Sequence, residues 1–193
     1  SWDNVTSGVD PWPPIGNYIF KGVAFGNNTF VAVGNSGWIV RSTDNGSSWD
    51  NVTSGVSRYH YGSDNLRGIS FGNNTFVAVG YSGQIIRSTN DGSSWDNITH
   101  VDSTYLYGVS FGNNTFVAVG QSGKIIKSTD NGSTFSAVTS VDGTLLNGVT
   151  FGNNTFVAVG SGGKIIRSDD NGSTFDDVTS EASINLNGVT FGD

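Results

Sequence analysis

Phe25-Gly-Asn-Asn-Thr-Phe-Val-Ala-Val-Gly34 decides the fold, because the same ten residues return from Phe71, Phe111 and Phe151 and begin again at Phe191. The first interval is 46 residues and the next three are 40. A fixed period of this size means one supersecondary unit, copied so that neighbours bury each other's faces. Strand formers (Val, Ile, Thr, Phe, Trp) alternate with clusters of Gly, Asn, Asp and Ser, which makes the class all-β. No window carries a helical period, and none is long and apolar enough to cross a bilayer as a helix.

The copy that starts at Leu146 reads as four strands. Leu146 to Phe151 is strand a, and Gly152-Asn153-Asn154 is a tight turn, since Asn tolerates the left-handed backbone that short hairpins need. Thr155 to Val159 is strand b, Gly160 to Gly163 turns, and Lys164 to Ser168 is strand c. Asp169 to Gly172 turns again into strand d, Thr174 to Thr179. A four-stranded antiparallel meander in about forty residues has the length of one propeller blade. Strands b and c are apolar on both sides, as expected of sheets packed face to face. Strand d is irregular: Trp49 and Val52 stand three apart, so either a bulge or a tryptophan resident in the turn breaks the period of two. The expected architecture is an all-β propeller in a single repeat domain, 1–193. Its blades are placed near 19–54, 66–99, 106–139 and 146–179, with a strand d remnant at 1–7 and an extra strand a at 186–192.

Between strands c and d, Ser42-Thr-Asp44-Asn-Gly46-Ser-Ser48-Trp49 resembles the Asp-box, or bacterial neuraminidase repeat. Ser128 to Phe135 and Ser168 to Phe175 repeat the pattern, Asn90-Asp91 inverts it in the second copy, and Ser1-Trp2 is the tail of a fifth. The blade also looks like those of photosystem II assembly-factor-like propellers and of bacterial surface proteins. The resemblance implies a structural role for the box. The chemistry agrees: the carboxylate accepts backbone N–H bonds, Gly takes the positive-φ position and the aromatic anchors the hairpin. The acidic stretch from Asp169 to Asp177 lacks the spacing and terminal Glu of a calcium loop.

Composition narrows the partners. Nine Lys and Arg in 193 residues, with a net charge of −7, argue against nucleic acid, which demands clustered cations. With no Cys there are no disulfides and no thiolate metal sites, and no cofactor or metal is expected. The low charge and the Asn, Ser, Thr and Gly content point to an extracellular or cell-surface setting. Sequons at Asn27, Asn51 and Asn131 would be glycosylated in a eukaryotic secretory pathway, which points to a bacterial, phage or designed origin.

The copies differ mainly in the d-to-a connections and the b-to-c turns, which a meander places at one end of the blade. One rim is therefore expected to carry recognition. On the d-to-a side stand Trp12 in Asp10-Pro-Trp-Pro-Pro14, then Tyr59, His60 and Tyr61, then Tyr105 and Tyr107. On the b-to-c side stand Trp38 and Tyr81. Aromatic planes beside amides and hydroxyls suit sugar rings or peptide side chains, so these residues are the expected ligand site. The competing expectation is that they fill gaps between blades. His60 and His100, without supporting carboxylates, read as ordinary loop residues. Arg41, Arg87, Lys127 and Arg167 are expected near the outer rim, heads in solvent or paired with box carboxylates.

An enzyme is not expected. A sialidase needs converging arginines, a tyrosine nucleophile and a glutamate, and Glu181 is the sole glutamate. Most Asp residues sit in turns rather than as the positioned carboxylate pair of a glycosidase. No Ser-His-Asp order, P-loop or HExxH stretch occurs. Three readings remain: an extracellular module binding a glycan or another surface ligand, a self-associating surface or filament protein, and an engineered consensus scaffold. Homo-oligomerisation is expected through the spare terminal strands, because exposed edges recruit partners.

Overall fold

The computed structural model describes residues 19–55, 65–98, 102–178, 180–181 and 183–192. They form sixteen strands in four antiparallel sheets, each a simple meander in chain order. The first blade holds β1 (Phe20–Gly26), β2 (Thr29–Gly34), β3 (Ile39–Ser42) and β4 (Asp50–Val52). The second holds β5 (Leu66–Gly72), β6 (Thr75–Gly80), β7 (Ile85–Ser88) and β8 (Asp96–Ile98). The third holds β9 (Leu106–Gly112), β10 (Thr115–Gly120), β11 (Ile125–Ser128) and β12 (Ser136–Val138). The fourth holds β13 (Leu146–Gly152), β14 (Thr155–Gly160), β15 (Ile165–Ser168) and β16 (Asp176–Val178).

Register repeats with the sequence. Phe25 faces Phe30, Phe71 faces Phe76, Phe111 faces Phe116 and Phe151 faces Phe156 across each first hairpin. Those ring pairs sit at 4.6–4.7 Å between centroids, a favourable tilted contact. The hairpins turn on two successive asparagines with φ near 48° and 58° in the first copy, the backbone of a two-residue turn matched to strand twist.

The core lies between blades. Val31, Val33 and Ile39 of the first blade pack with Leu66, Phe76, Ala78 and Ile86 of the second. Val77, Val79 and Ile85 of the second pack with Leu106, Phe116, Ala118 and Ile126 of the third, and the next junction repeats the scheme. Alternate side chains of one strand therefore serve two different junctions, which is why strands b and c are apolar on both sides.

Polar contacts bind each junction further. Arg41 Nε donates to the Asp91 carbonyl at 2.6 Å, Arg87 Nε to the Asn131 carbonyl at 2.9 Å, and Lys127 Nζ to Ser173 Oγ at 2.8 Å. These cations reach the next blade's c–d turn rather than solvent or a box carboxylate. The long stem lies along the sheet, and the following turn supplies the acceptor in reach, a backbone carbonyl for the two arginines and the Ser173 hydroxyl for Lys127. Arg167 pairs instead with Asp169 in its own blade, at 3.0 Å.

The c–d turn closes on its serine. Asp44 Oδ1 accepts from Ser42 Oγ at 2.7 Å and from the Ser48 N–H at 2.9 Å, while the Gly46 N–H donates to Ser42 Oγ at 2.9 Å. Bonds from the Ser48 hydroxyl and N–H, then Ser42, hold the Asp44 carboxyl down at about 2. In the second blade Asn90 Oδ1 accepts from Ser88 Oγ and the Ser94 N–H, and its amide donates to Ser94 Oγ. An amide thus replaces the carboxylate with the same shape. Trp49 and Trp95 precede strand d, and each indole N–H donates to the turn glycine's carbonyl at 3.2 Å. The tryptophan is resident in the turn, and no bulge is needed.

Residues 186–192 form no β-ladder. The segment lies against β13, with Phe191 over Gly152 and Leu186 N–H donating to the Gly160 carbonyl at 3.0 Å. A strand a becomes a ladder by pairing with strand b, and no described residue supplies one. Residues 1–7 lie outside the described residues.

Candidate functional site

Both variable connections meet at one rim. The backbone N–H opening each b–c turn donates to the carbonyl just before strand a: Asn35 to Ile19, Tyr81 to Asn65, Gln121 to Tyr105 and Ser161 to Leu145, at 2.8–3.0 Å. The turns pass through a left-handed residue, Ser36, Ser82 and Ser122 at φ 54° and Gly162 at φ 64°.

Beside this rim is a cavity of about 360 Å³ lined by Lys21, Arg67, Tyr107, Leu145, Asn147 and Asn187. Five of these six are the same position in five copies, the second residue of strand a or its counterpart at 187. Their convergence places the inner strands around a common centre. The residue after each is glycine, and a Cβ on Gly68 would come within 3.1 Å of the Gly108 Cα. Neighbouring inner strands therefore approach backbone to backbone, and the preceding side chains are gathered at the mouth.

An aromatic cluster walls one side. Tyr81 stacks on Tyr105 at 4.4 Å and 11°, and meets the edge of Tyr107 at 6.1 Å and 88°. Arg67 Nη2 donates to the Tyr81 hydroxyl at 2.5 Å, with its guanidinium carbon 4.8 Å from the Tyr81 ring centre and 5.5 Å from that of Tyr107. Among the described residues Arg67 Nε is buried without a partner. Burial, and after it the neighbouring Tyr81, raise the Tyr107 phenol, so it stays protonated and can donate.

Among its described lining side chains the cavity carries two cations and no carboxylate. Two described acids of the connections are engaged in ion pairs: Asp102 pairs with Lys124, and Asp142 with Lys164. Those ion pairs hold both carboxyls at about 2. In a chain of net charge −7, the mouth is a local cationic site. Among the described residues no three His, Cys, Asp or Glu side chains gather as a metal site, and no helix is long and apolar enough to cross a membrane.

Of the residues expected to bind ligand, Tyr81, Tyr105 and Tyr107 come together, and Tyr107 lines the cavity. Trp38 is half-buried in the b–c turn of the first blade. Trp12, Tyr59, His60 and Tyr61 lie outside the described residues, as does His100. Reading the connections missed Lys21, Arg67, Asn147 and Asn187. The signal was available in the chain itself: within copies that scarcely change, the second position of strand a runs Lys, Arg, Tyr, Asn, Asn.

No family model and no curated protein sequence matches the chain. Solved structures do. YCF48 bound to D1 peptide is 18% identical over 83% of this chain and 54% of its own, with a TM-score of 0.64. A chain of the nidogen/laminin complex is 15% identical over 91% and 69%, with a TM-score of 0.70. An ancestral GH74 enzyme is 18% identical over 86% and 26%, with a TM-score of 0.64. The chain thus spans about half the length of the YCF48 structure it resembles. At such identities the likeness shows the fold: an all-β propeller with four four-stranded blades.

Proposed function

We propose that this chain is a non-catalytic propeller recognition module, and that its axial mouth holds an acidic segment of a partner protein. The observation that carries this reading is the convergence of Lys21, Arg67, Tyr107, Asn147 and Asn187 on one cavity, at the position where otherwise uniform copies diverge. Two cations without carboxylates favour an anion, the buried Arg67 Nε offers a donor, and Tyr107 with two amides supplies orientation. Similar propellers solved with a D1 peptide and in a nidogen/laminin complex support a protein partner. Among the described residues the cavity's lining holds no carboxylate pair and no nucleophile–base pair, which supports the non-catalytic reading. We read the c–d turns as Asp-boxes in a structural role, supported by the serine and carboxylate bonding of Asp44, Asp130 and Asp170.

A second reading, a glycan bound at the same mouth in an extracellular setting, is favoured by the Tyr107 ring beside Asn147 and Asn187. Titration with an oligoglutamate peptide, followed by calorimetry at low and high salt, tests the first reading. Binding that weakens with salt and disappears in Lys21→Ala/Arg67→Ala is expected. Equal binding by that variant, or none by the native chain, overturns it. Salt-insensitive binding on a glycan array, lost in Tyr107→Ala, transfers the site to the second reading.

A further inference from the structure

We propose that Tyr81 is the positioning residue of the axial mouth. Stacked on Tyr105, it holds the Arg67 guanidinium as a fixed fork for a carboxylate of the partner segment, a role that rests on the acidic-segment reading of that mouth.

The backbone brings the four side chains together. Arg67 is the second residue of β5, and Tyr107 holds the same place in β9. Tyr81 opens the b–c turn of the second blade, and Tyr105 ends the connection into the third. The Tyr81 N–H donates to the Asn65 carbonyl at 2.9 Å, which ties this turn to the entry of β5, two residues from Arg67. Leu66 and Leu106 beside them are buried, so each inner strand is anchored where its mouth residue emerges.

The side chains then restrain the cation. Arg67 Nη2 donates to the Tyr81 hydroxyl at 2.5 Å, and the guanidinium carbon lies 4.8 Å from the Tyr81 ring centre and 5.5 Å from that of Tyr107. The Tyr81 ring is itself held, with Tyr105 stacked at 4.4 Å and the edge of Tyr107 at 6.1 Å. An arginine side chain left loose would have to be ordered by its ligand, at a cost in affinity. Here the tyrosines order it beforehand, and contact with ring faces keeps its charge. Among the described residues the buried Arg67 Nε has no acceptor. A buried N–H left unmet is costly, and an arriving carboxylate removes that cost.

The chain's own copies favour this role over simple packing. At the places of Tyr81 and Tyr105 the other complete copies carry Asn35, Gln121 and Ser161, and Ile19, Asn65 and Leu145. Packing between blades recurs at every junction inside the chain, whereas the tyrosines gather only at the copy whose mouth residue is arginine.

Tyr81→Phe keeps the ring and removes the hydroxyl. In the free, isotope-labelled chain the Arg67 Nε–H resonance, assigned by its disappearance in Arg67→Ala, should be sharp and distinct. It should broaden in Tyr81→Phe and in Tyr105→Leu, and stay unchanged in Tyr105→Phe, which preserves the stack. In calorimetry with an oligoglutamate peptide, Tyr81→Phe should weaken binding about tenfold, the worth of a hydrogen bond to a charged group. The same change made in Arg67→Ala, where Lys21 still draws the peptide, should cost nothing further. An Arg67 resonance indifferent to Tyr81→Phe would overturn the proposal. So would an equal loss of affinity in the Arg67→Ala background, since Tyr81 would then act through the fold. If the native chain takes no oligoglutamate, the acidic-segment reading falls, while dependence of the Arg67 resonance on Tyr81 in the free chain still upholds the positioning.

Discussion

Replacing Gly112 by alanine is expected to separate the third and fourth blades. Gly112 ends β9, and the Phe151 ring of the next blade lies so close that an added Cβ would fall among its ring carbons. Phe151 cannot withdraw freely, because it is paired at 4.7 Å with Phe156, which is fully buried. Overpacking of this kind costs about 1–3 kcal/mol, and displacing the ring from its partner adds about 0.5–1.5 kcal/mol. Against this stands the usual gain from glycine to alanine, about 0.4–1 kcal/mol, through the unfolded chain. The net loss is then roughly 0.5–4 kcal/mol, and at about 2–4 °C per kcal/mol for a chain of this length Tm should fall by roughly 1–16 °C. Thermal and urea unfolding by circular dichroism measure it. Gly192→Ala is the internal control: this glycine also follows a phenylalanine at the end of strand a's sequence, but among the described residues nothing lies within 4 Å, so this variant should match or slightly exceed the native chain. In a Phe151→Ala background the Gly112→Ala penalty should vanish, since coupled neighbours are non-additive. Native stability in Gly112→Ala, or an equal loss in Gly192→Ala, would refute the inter-blade packing.

Acid should unfold the chain in a defined window. Asp44, Asp102, Asp130 and Asp142 lie at about 2 in the folded chain against 3.8 for a free carboxyl. The folded values are the depressed ones, so the stabilisation is complete above the free value and drains away as pH falls through about 2. Urea midpoints should hold from neutral pH to about pH 5 and drop steadily below it, and a midpoint indifferent to pH between 5 and 2 would contradict this. Asp130→Asn should cost less than Asp130→Ala, because Asn90 performs the same bonding in the second blade, and it should blunt the acid response. Ser82 stands at φ 54°, where the fourth copy uses Gly162, so Ser82→Gly should be near neutral. Ser82→Val should lose about 1–2 kcal/mol in the same unfolding assay, and equal stability of the two would argue against the left-handed turn.

Much of the architecture was legible because it is local and repeated. The Asn27-Asn28 pair announces a tight hairpin, and Val31 to Val33 beside Ile39 announces a sheet covered twice. The three-residue gap from Trp49 to Val52 already contained the turn-resident indole. What stayed hidden depends on how copies meet. The strand c cations look like a solvent-facing row, and only the position of the following turn shows that Arg87 reaches the Asn131 carbonyl. Residues 186–192 look like a strand because 146–152 is one, yet a strand is a property of a pair. The cavity residues escaped attention because variation was sought in connections, where copies differ most. The change from Lys21 to Arg67 to Tyr107 occupies a single place inside a strand, and its meaning appears only when the inner strands converge.

Convergence about one centre is therefore what most needs measuring. The chain has no cysteine, so Asn187→Cys carries a single nitroxide at the fifth copy of the cavity position. Paramagnetic broadening should reach the amides of Lys21, Arg67, Tyr107 and Asn147 in all four blades, and spare those of the far hairpin turns at Asn27, Asn73 and Asn113. Broadening confined to Asn147 and its own blade would mean a linear stack, and the axial site would not exist.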